Sequence, residues 1–176
     1  INESIEKLVW QGDSSHTNEP DGFLKILETV SSGVISATWS AGTSAYNKIK
    51  AVYNAIPANI IDKEDTVIFV GEETYREFIQ DLVAANLYHF SPDYKAGEYM
   101  VPGTSVRVIA VNGLNSTGKI VAGRLSNFFY GVGAEDDKDT FDFWYSQDNR
   151  EFRLAVYFAM AVQVAYPNEI VLGKQA

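Results

Sequence analysis

The stretch REFRLAVYFAMAVQVAY, Arg150–Tyr166, reads in steps of two. Phe152, Leu154, Val156, Phe158, Met160, Val162, Val164 and Tyr166 fall on one side. Glu151, Arg153, Ala155, Tyr157, Ala159, Ala161, Gln163 and Ala165 fall on the other. Strand side chains alternate between faces, so this period predicts a strand with one apolar face and one small or polar face. The alanines would also suit a helix, but a helix would then carry apolar residues all round. At about 3.3 Å per residue the strand would reach roughly 50 Å, against a usual length of roughly 3–10 residues. Such a reach suits a protein that spans or tiles a surface better than a compact enzyme. Immediately upstream, TFDFWYS (Thr140–Ser146) is a second aromatic strand, and Gln147-Asp148-Asn149 is turn chemistry between the two, so a long hairpin is expected.

The composition agrees with a folded chain and narrows its partners. The 176 residues fill one ordinary domain, or two small lobes sharing a core. A hydrophobic content of 46% and an aromatic content of 13% supply that core, which excludes disorder. The formal charge of −9 argues against a nucleic-acid face, which needs clustered Lys and Arg. The absence of cysteine removes disulfides, thiol catalysis and zinc–cysteine sites. No apolar run approaches the roughly 20 residues that span a bilayer, and no signal-peptide pattern opens the chain. The first residue is Ile1 rather than Met, as expected of a processed or trimmed piece.

Along the chain, Leu8-Val9-Trp10 reads as a short strand ending at Gly12, and Asp13–Asp21 as a loop. Phe23, Leu24, Ile26, Leu27 and Val30 predict a short helix with Asp21 as its candidate cap. Val34–Trp39 is a strand. Thr43 or Ser44 caps a helix whose stripe is Tyr46, Ile49, Val52, Tyr53 and Ile56, and Pro57 ends it. Thr66–Val70 (TVIFV) is a buried strand. Glu72-Glu73-Thr74 opens a helix striped by Tyr75, Phe78, Ile79, Leu82 and Val83. Glu98–Val101, Ser105–Val111, Lys119–Ala122 and Ser126–Tyr130 are extended. Helices concentrate in the first half and strands after Glu98, so the class is α+β rather than strict βαβ alternation.

Several motifs imitate catalytic or ligand sites. GLNSTGK (Gly113–Lys119) has the glycine and lysine spacing of a phosphate-binding loop. The following residue, Ile120, lacks the hydroxyl that would hold magnesium, and the segment after it is extended rather than helical. A hairpin loop is the better reading. Gly131-Val132-Gly133 lacks the third glycine and the helix of a dinucleotide fingerprint. Glu135, Asp136, Asp137, Asp139 and Asp142 could hold calcium, but their spacing is that of a solvated turn rather than an EF-hand. His16 and His89 have no partner at metal-ligand spacing. No catalytic residue, cofactor or metal ligand is therefore expected, and the chain is read as a non-enzyme. The aromatics Phe128, Phe129, Tyr130, Phe141, Phe143, Trp144 and Tyr145 lack the basic companions of a base-stacking surface. They point instead to core packing or a subunit interface.

The carboxyl-terminal half then resembles a known family. IVAGRLSNFFYGVG (Ile120–Gly133) followed by FDFWYSQDNREFRLAVYFAMAVQVAYPNEIVL (Phe141–Leu172) is similar to the ending of tailed-phage major capsid proteins, in particular forms from phages and prophages of gut Bacteroidota. Ser126, Asn127, Phe128, Tyr130 and Gly131 match its "SN-aromatic-x-aromatic-G" segment, and Val162–Pro167 its close. Trp10-Gln11-Gly12 and Asp21-Gly22-Phe23-Leu24 resemble the opening of the same region.

The resemblance implies the Hong Kong 97-type capsid fold. Residues 1–125 would form an axial-domain-like region, with 1–12 available to pair with the closing sheet. Residues 126–176 would form a peripheral-domain-like hairpin and tail, with no flexible linker between. No N-terminal arm, extended loop or long spine helix is recognisable, so this would be the carboxyl-terminal part of a longer chain.

The function so implied is structural: a major capsid subunit, or a fragment of one, building an icosahedral shell from copies of itself. It would reside in the virion, and in the host cytoplasm before assembly. No specific nucleic-acid, membrane or small-molecule partner is expected. Phe141, Phe143, Tyr145, Arg150, Arg153 and Tyr157 are the expected interface residues. Two alternatives share the composition: an adhesive or ligand-binding surface module of a gut bacterium, and a metal-dependent hydrolase using the Asp136–Asp142 acids.

Overall fold

The computed structural model describes residues 2–17, 19–29, 33–88, 97–132, 140–157 and 159–176, with the backbone alone at 2, 140–142 and 154–157. Four helices precede most of the strands: α1 (Asn2–Gln11), α2 (Phe23–Thr29), α3 (Ala45–Ala55) and α4 (Glu72–Ala84). The strands are β1 (Ile35–Trp39), β2 (Thr66–Val70), β3 (Glu98–Met100), β4 (Arg107–Ala110), β5 (Ile120–Arg124), β6 (Phe128–Val132), β7 (Thr140–Ser146), β8 (Glu151–Tyr157), β9 (Met160–Val164) and β10 (Val171–Gln175). A mixed six-stranded sheet in the order β1-β10-β5-β2-β4-β3 is the body of the fold. β1 and β10 are parallel, as are β2 and β4; the other neighbours are antiparallel. The α+β reading therefore stands.

The sheet is buried on both faces, which explains the unbroken apolar run TVIFV in β2. Ile68 and Val70 join Val108, Ile120, Ala122 and Val171 against α3 and α4, where Ile49, Val52, Phe78 and Leu82 are buried. Val67, Phe69, Val121 and Leu172 face the opposite way, toward Trp10, Phe23, Leu24 and Leu27 of α1 and α2. Trp10 centres this second layer, with ring centroids 5.3 Å from Phe23 and 5.1 Å from Phe69. Ser44 caps α3, its side chain accepting the Asn47 N–H. On α4, Val83 lies 59% exposed and does not join the buried stripe expected of it.

Four local expectations are corrected, one of them the hairpin loop at Gly113–Lys119, since β2 lies between β4 and β5 and the two strands do not pair. Leu8-Val9-Trp10 is the last part of α1 and lies in no sheet. Ile5, Leu8 and Val9 stand at helical spacing, and three adjacent apolar residues hid that period. Asp21 serves the preceding loop rather than α2, its carboxylate accepting the Ser14 N–H at 2.9 Å. The single strand Arg150–Tyr166 is two strands, β8 and β9, which pair with different partners in separate two-stranded sheets. Arg150 itself is a turn residue with φ of 52°.

The phosphate-loop lookalike has a packing explanation. A 3-10 turn at Asn112–Leu114 lies against α1. The Gly113 N–H donates to Glu6 Oε1 at 3.2 Å, and Gln11 Nε2 donates to the Gly113 carbonyl at 2.7 Å. Lys119 pairs with Glu28. A Cβ on Gly113 would stand 2.3 Å from Trp10 Cδ1 and 2.7 Å from the Glu6 carbonyl, so the glycine is required by the approach of α1. Gly113→Ala is expected to destabilise the chain by about 1–3 kcal/mol in denaturant melts. Gly131→Ala, where a Cβ meets nothing closer than 3.8 Å, should stay within about 0.5 kcal/mol of wild type. Equal effects would contradict this account.

Candidate assembly surface

Between β5 and β10, which pair side by side in the main sheet, the chain makes an excursion over residues 125–170 and returns. We call this excursion the arm. Its outgoing leg is the 3-10 turn Leu125–Asn127 and β6; its returning leg is β9 and the turn Pro167–Glu169. β6 and β9 pair from Phe128↔Val164 at the base to Val132↔Met160 farther out. The inner face of the base is sealed to the body: Val162 and Val164 are buried, and Phe128 packs edge-on against Phe23 and Phe69 at 5.2 and 5.5 Å.

Two polar constellations fix where the arm leaves. Asn127 is buried, yet both ends of its amide are bonded. Its Oδ1 accepts the N–H groups of Ala165 and Tyr166 at 3.0 and 2.7 Å, and its Nδ2 donates to the Tyr166 carbonyl at 2.8 Å. One side chain thus clamps the outgoing leg to the returning one. Beside it, Asp65 accepts from Arg124 Nε at 3.0 Å and from the Ser126 hydroxyl at 2.6 Å, while its carbonyl accepts the Leu125 N–H at 2.8 Å. The hydrogen bonds from Arg124 and then Ser126 lower the Asp65 pKa from 3.8 to about 2, and the same pair raises that of Arg124. Ser126 and Asn127 were legible only as part of a sequence resemblance; these contacts give them a physical role. Asp65 carried no sequence signal beyond its charge.

Farther out, β7 and β8 form an isolated ribbon with the register Phe141↔Val156, Phe143↔Leu154, Tyr145↔Phe152 on one set of positions and Trp144↔Arg153 on the other. The expected hairpin is therefore present, with its turn at residues 147–150. Neither strand packs along another element among the described residues, and each has a sheet edge without a neighbour. Phe143 stacks on Phe152 with centroids 5.5 Å apart and planes 5° off parallel, and Tyr145 meets the same ring at 5.1 Å. Despite these contacts Phe143, Tyr145 and Phe152 remain 68%, 50% and 70% exposed.

The candidate interface residues fall into three groups. Phe143 and Tyr145 stand on this open aromatic surface. Arg150 is exposed in the turn, and Arg153 is held by Glu151 at 2.6 Å. Phe141 and Tyr157 lie in β7 and β8 by backbone pairing, and their side chains lie outside what is described. Phe129, Tyr130 and Trp144, aromatics that the sequence left open between core and interface, are exposed on the arm, and so are Phe152 and Val132, which were not singled out as interface residues. Phe152 was visible in the alternation, which could not tell an apolar face that is buried from one that is open.

Among the described residues no group of three or more His, Asp or Glu could hold a metal, and no helix is long and apolar enough to cross a membrane. Glu135, Asp136, Asp137, Asp139, His89 and the Asp142 side chain lie outside the described residues. His16 is exposed and pairs with Glu19 at 3.4 Å.

No protein-family model matches the chain, and no curated protein is similar to it in sequence. Solved structures are similar in fold. A chain of the virus-like particle from Pyrococcus furiosus superposes with a TM-score of 0.60 at 12% identity, over 99% of this chain and 64% of that one. A chain of the satellite phage P4 procapsid that includes the size determination protein gives 0.66 at 9% identity, over 99% and 60%. A chain of the capsid of the empty GTA particle gives 0.61 at 12%, over 98% and 62%. The chain thus spans under two thirds of the length of each of these chains.

The clamp at the base is testable through pH. The folded Asp65 pKa lies below its unfolded value, so the pair stabilises the fold above about pH 4 and that contribution is lost as pH falls toward about 2. Asp65→Asn should cost about 1 kcal/mol at neutral pH, given its partial exposure. Its melting temperature should converge on wild type on acidification; a gap unchanged with pH would contradict the assignment. At this level of likeness the comparisons speak to fold, and that fold is a mixed α+β architecture of the kind found in viral capsid chains.

Proposed function

We propose that this chain is a shell-forming subunit, a major capsid protein of the Hong Kong 97 type or the carboxyl-terminal part of one, whose partners are further copies of itself. The observation that carries this reading is the likeness, across nearly the whole chain, to chains of a virus-like particle, a phage procapsid and a GTA capsid. The arm supports it independently, because it ends in a ribbon whose aromatic side chains find no cover in the described chain. In this reading residues 1–125 are the axial-like region and 126–176 the peripheral-like region. Phe141, Phe143, Tyr145, Arg150, Arg153 and Tyr157 contribute to contacts between copies. Apolar side chains at such contacts act as hot spots within a polar rim, and closed symmetry repeats them. The work is mechanical: the protein belongs to the virion, and to the host cytoplasm before assembly. A phage or prophage of gut Bacteroidota is the proposed source.

Electron microscopy of the complete gene product containing this chain tests the proposal. Closed shells of uniform size are the expected result. A product that stays monomeric at high concentration, under conditions where related subunits assemble, would overturn it.

A further inference from the structure

Every large apolar side chain that is exposed among the described residues falls in one of two places. Nine lie on the arm between Leu125 and Tyr166; the other four, Val83, Leu87, Tyr88 and Met100, sit at the end of α4 and on β3. Leu87 and Met100 line a groove of 340 Å³ with Val101 and Pro102. We propose that this groove receives the aromatic face of the β7–β8 ribbon from a second copy of the chain, so that copies join head to tail. The inference rests on the assembly reading above and names the two surfaces it would use.

The sheet register makes the arrangement sterically sensible. Met100 is paired with Arg107, Arg107 with Val67, and Val67 with Gly123. The groove and the root of the arm therefore share one end of the sheet, three strand positions or about 14 Å apart. A chain's own arm is anchored at β5 and β10 by Asn127 and carries its ribbon beyond the β6–β9 pair. A neighbour placed beside it, rather than end to end, would bring one copy's ribbon across the next copy's groove.

The presence of two separate apolar surfaces on one chain favours a head-to-tail contact, two per copy, over a symmetric pair of ribbons, one per copy. At their exposures, Phe143, Tyr145 and Phe152 leave about 400 Å² open, taking roughly 200 Å² for an aromatic side chain. A stable interface buries about 800 Å² on each partner, so the three described aromatics supply about half of that in any one contact. In a head-to-tail arrangement each copy uses both its ribbon and its groove, and closure of a ring repeats the contact. Aromatic anchors entering an apolar groove are also the usual form of an interface hot spot.

Because the chain has no cysteine, the pairing can be read by cross-linking. One preparation of the complete product carries Phe143→Cys and a second Met100→Cys; they are mixed, assembled and treated with a short bismaleimide. Cross-linked dimers should accumulate in this mixture and be several-fold scarcer when Glu3→Cys, in the helix that packs against the turn beyond the opposite end of β4, replaces Met100→Cys. Phe152→Asp and Met100→Asp, each at an exposed position, should leave the melting temperature of the free chain unchanged. Each should weaken assembly at least about tenfold, as loss of one hot spot does. Wild-type assembly with no preferential cross-link, or undiminished assembly by both aspartate variants, would overturn this inference and leave the assembly reading intact. Failure of the wild-type product to self-associate would overturn both.

Discussion

The buried amide of Asn127 decides what this molecule can present. Its three hydrogen bonds to Ala165 and Tyr166 hold together two legs of the chain that are adjacent only because β5 and β10 are neighbours in the main sheet. An unsatisfied amide at that depth would cost about 1–3 kcal/mol per group, so the bonds are strongly specified. Asp65, bonded to Arg124, Ser126 and Leu125, repeats the constraint on the outgoing side. Phe128, the first residue of β6, then ties the arm into the aromatic cluster around Trp10. With its root so fixed, the arm leaves a sheet that is already covered on both faces.

That division explains the two kinds of apolar surface on the chain. α3 and α4 close one side of the sheet, and α1, α2 and the base of β6–β9 close the other, with Met100 of the edge strand β3 left open. The ribbon β7–β8 has no second layer among the described residues. A lone two-stranded ribbon is marginal in water, and unpaired edges with exposed aromatics invite association. Outside the arm, the exposed large apolar side chains among the described residues are Val83, Leu87, Tyr88 and Met100, at the end of α4 and on β3.

The sequence was most legible where one residue pattern matched one structural layer. TVIFV announced a strand buried on both sides, and the stripes of α3 and α4 announced helices buried on one. It was least legible at Arg150–Tyr166. The alternation runs in phase from β8 into β9, so nothing in it marks the change of partner from β7 to β6. Nor could it show that Val162 and Val164 would be buried while Phe152 stayed exposed, because period reports a face and not what covers it. The root of the arm was equally hidden. Asn127 and Asp65 act through partners 38 to 61 residues away, a separation no local pattern encodes.

The central claim is that the ribbon is completed only by another copy, and amide hydrogen exchange measured on free and assembled protein tests it most directly. The amides of β7 and β8 should exchange quickly in the free chain and become protected on assembly, while those of β2, buried in the sheet, stay protected in both. Ribbon amides protected to the same degree in the free and assembled states would contradict the account.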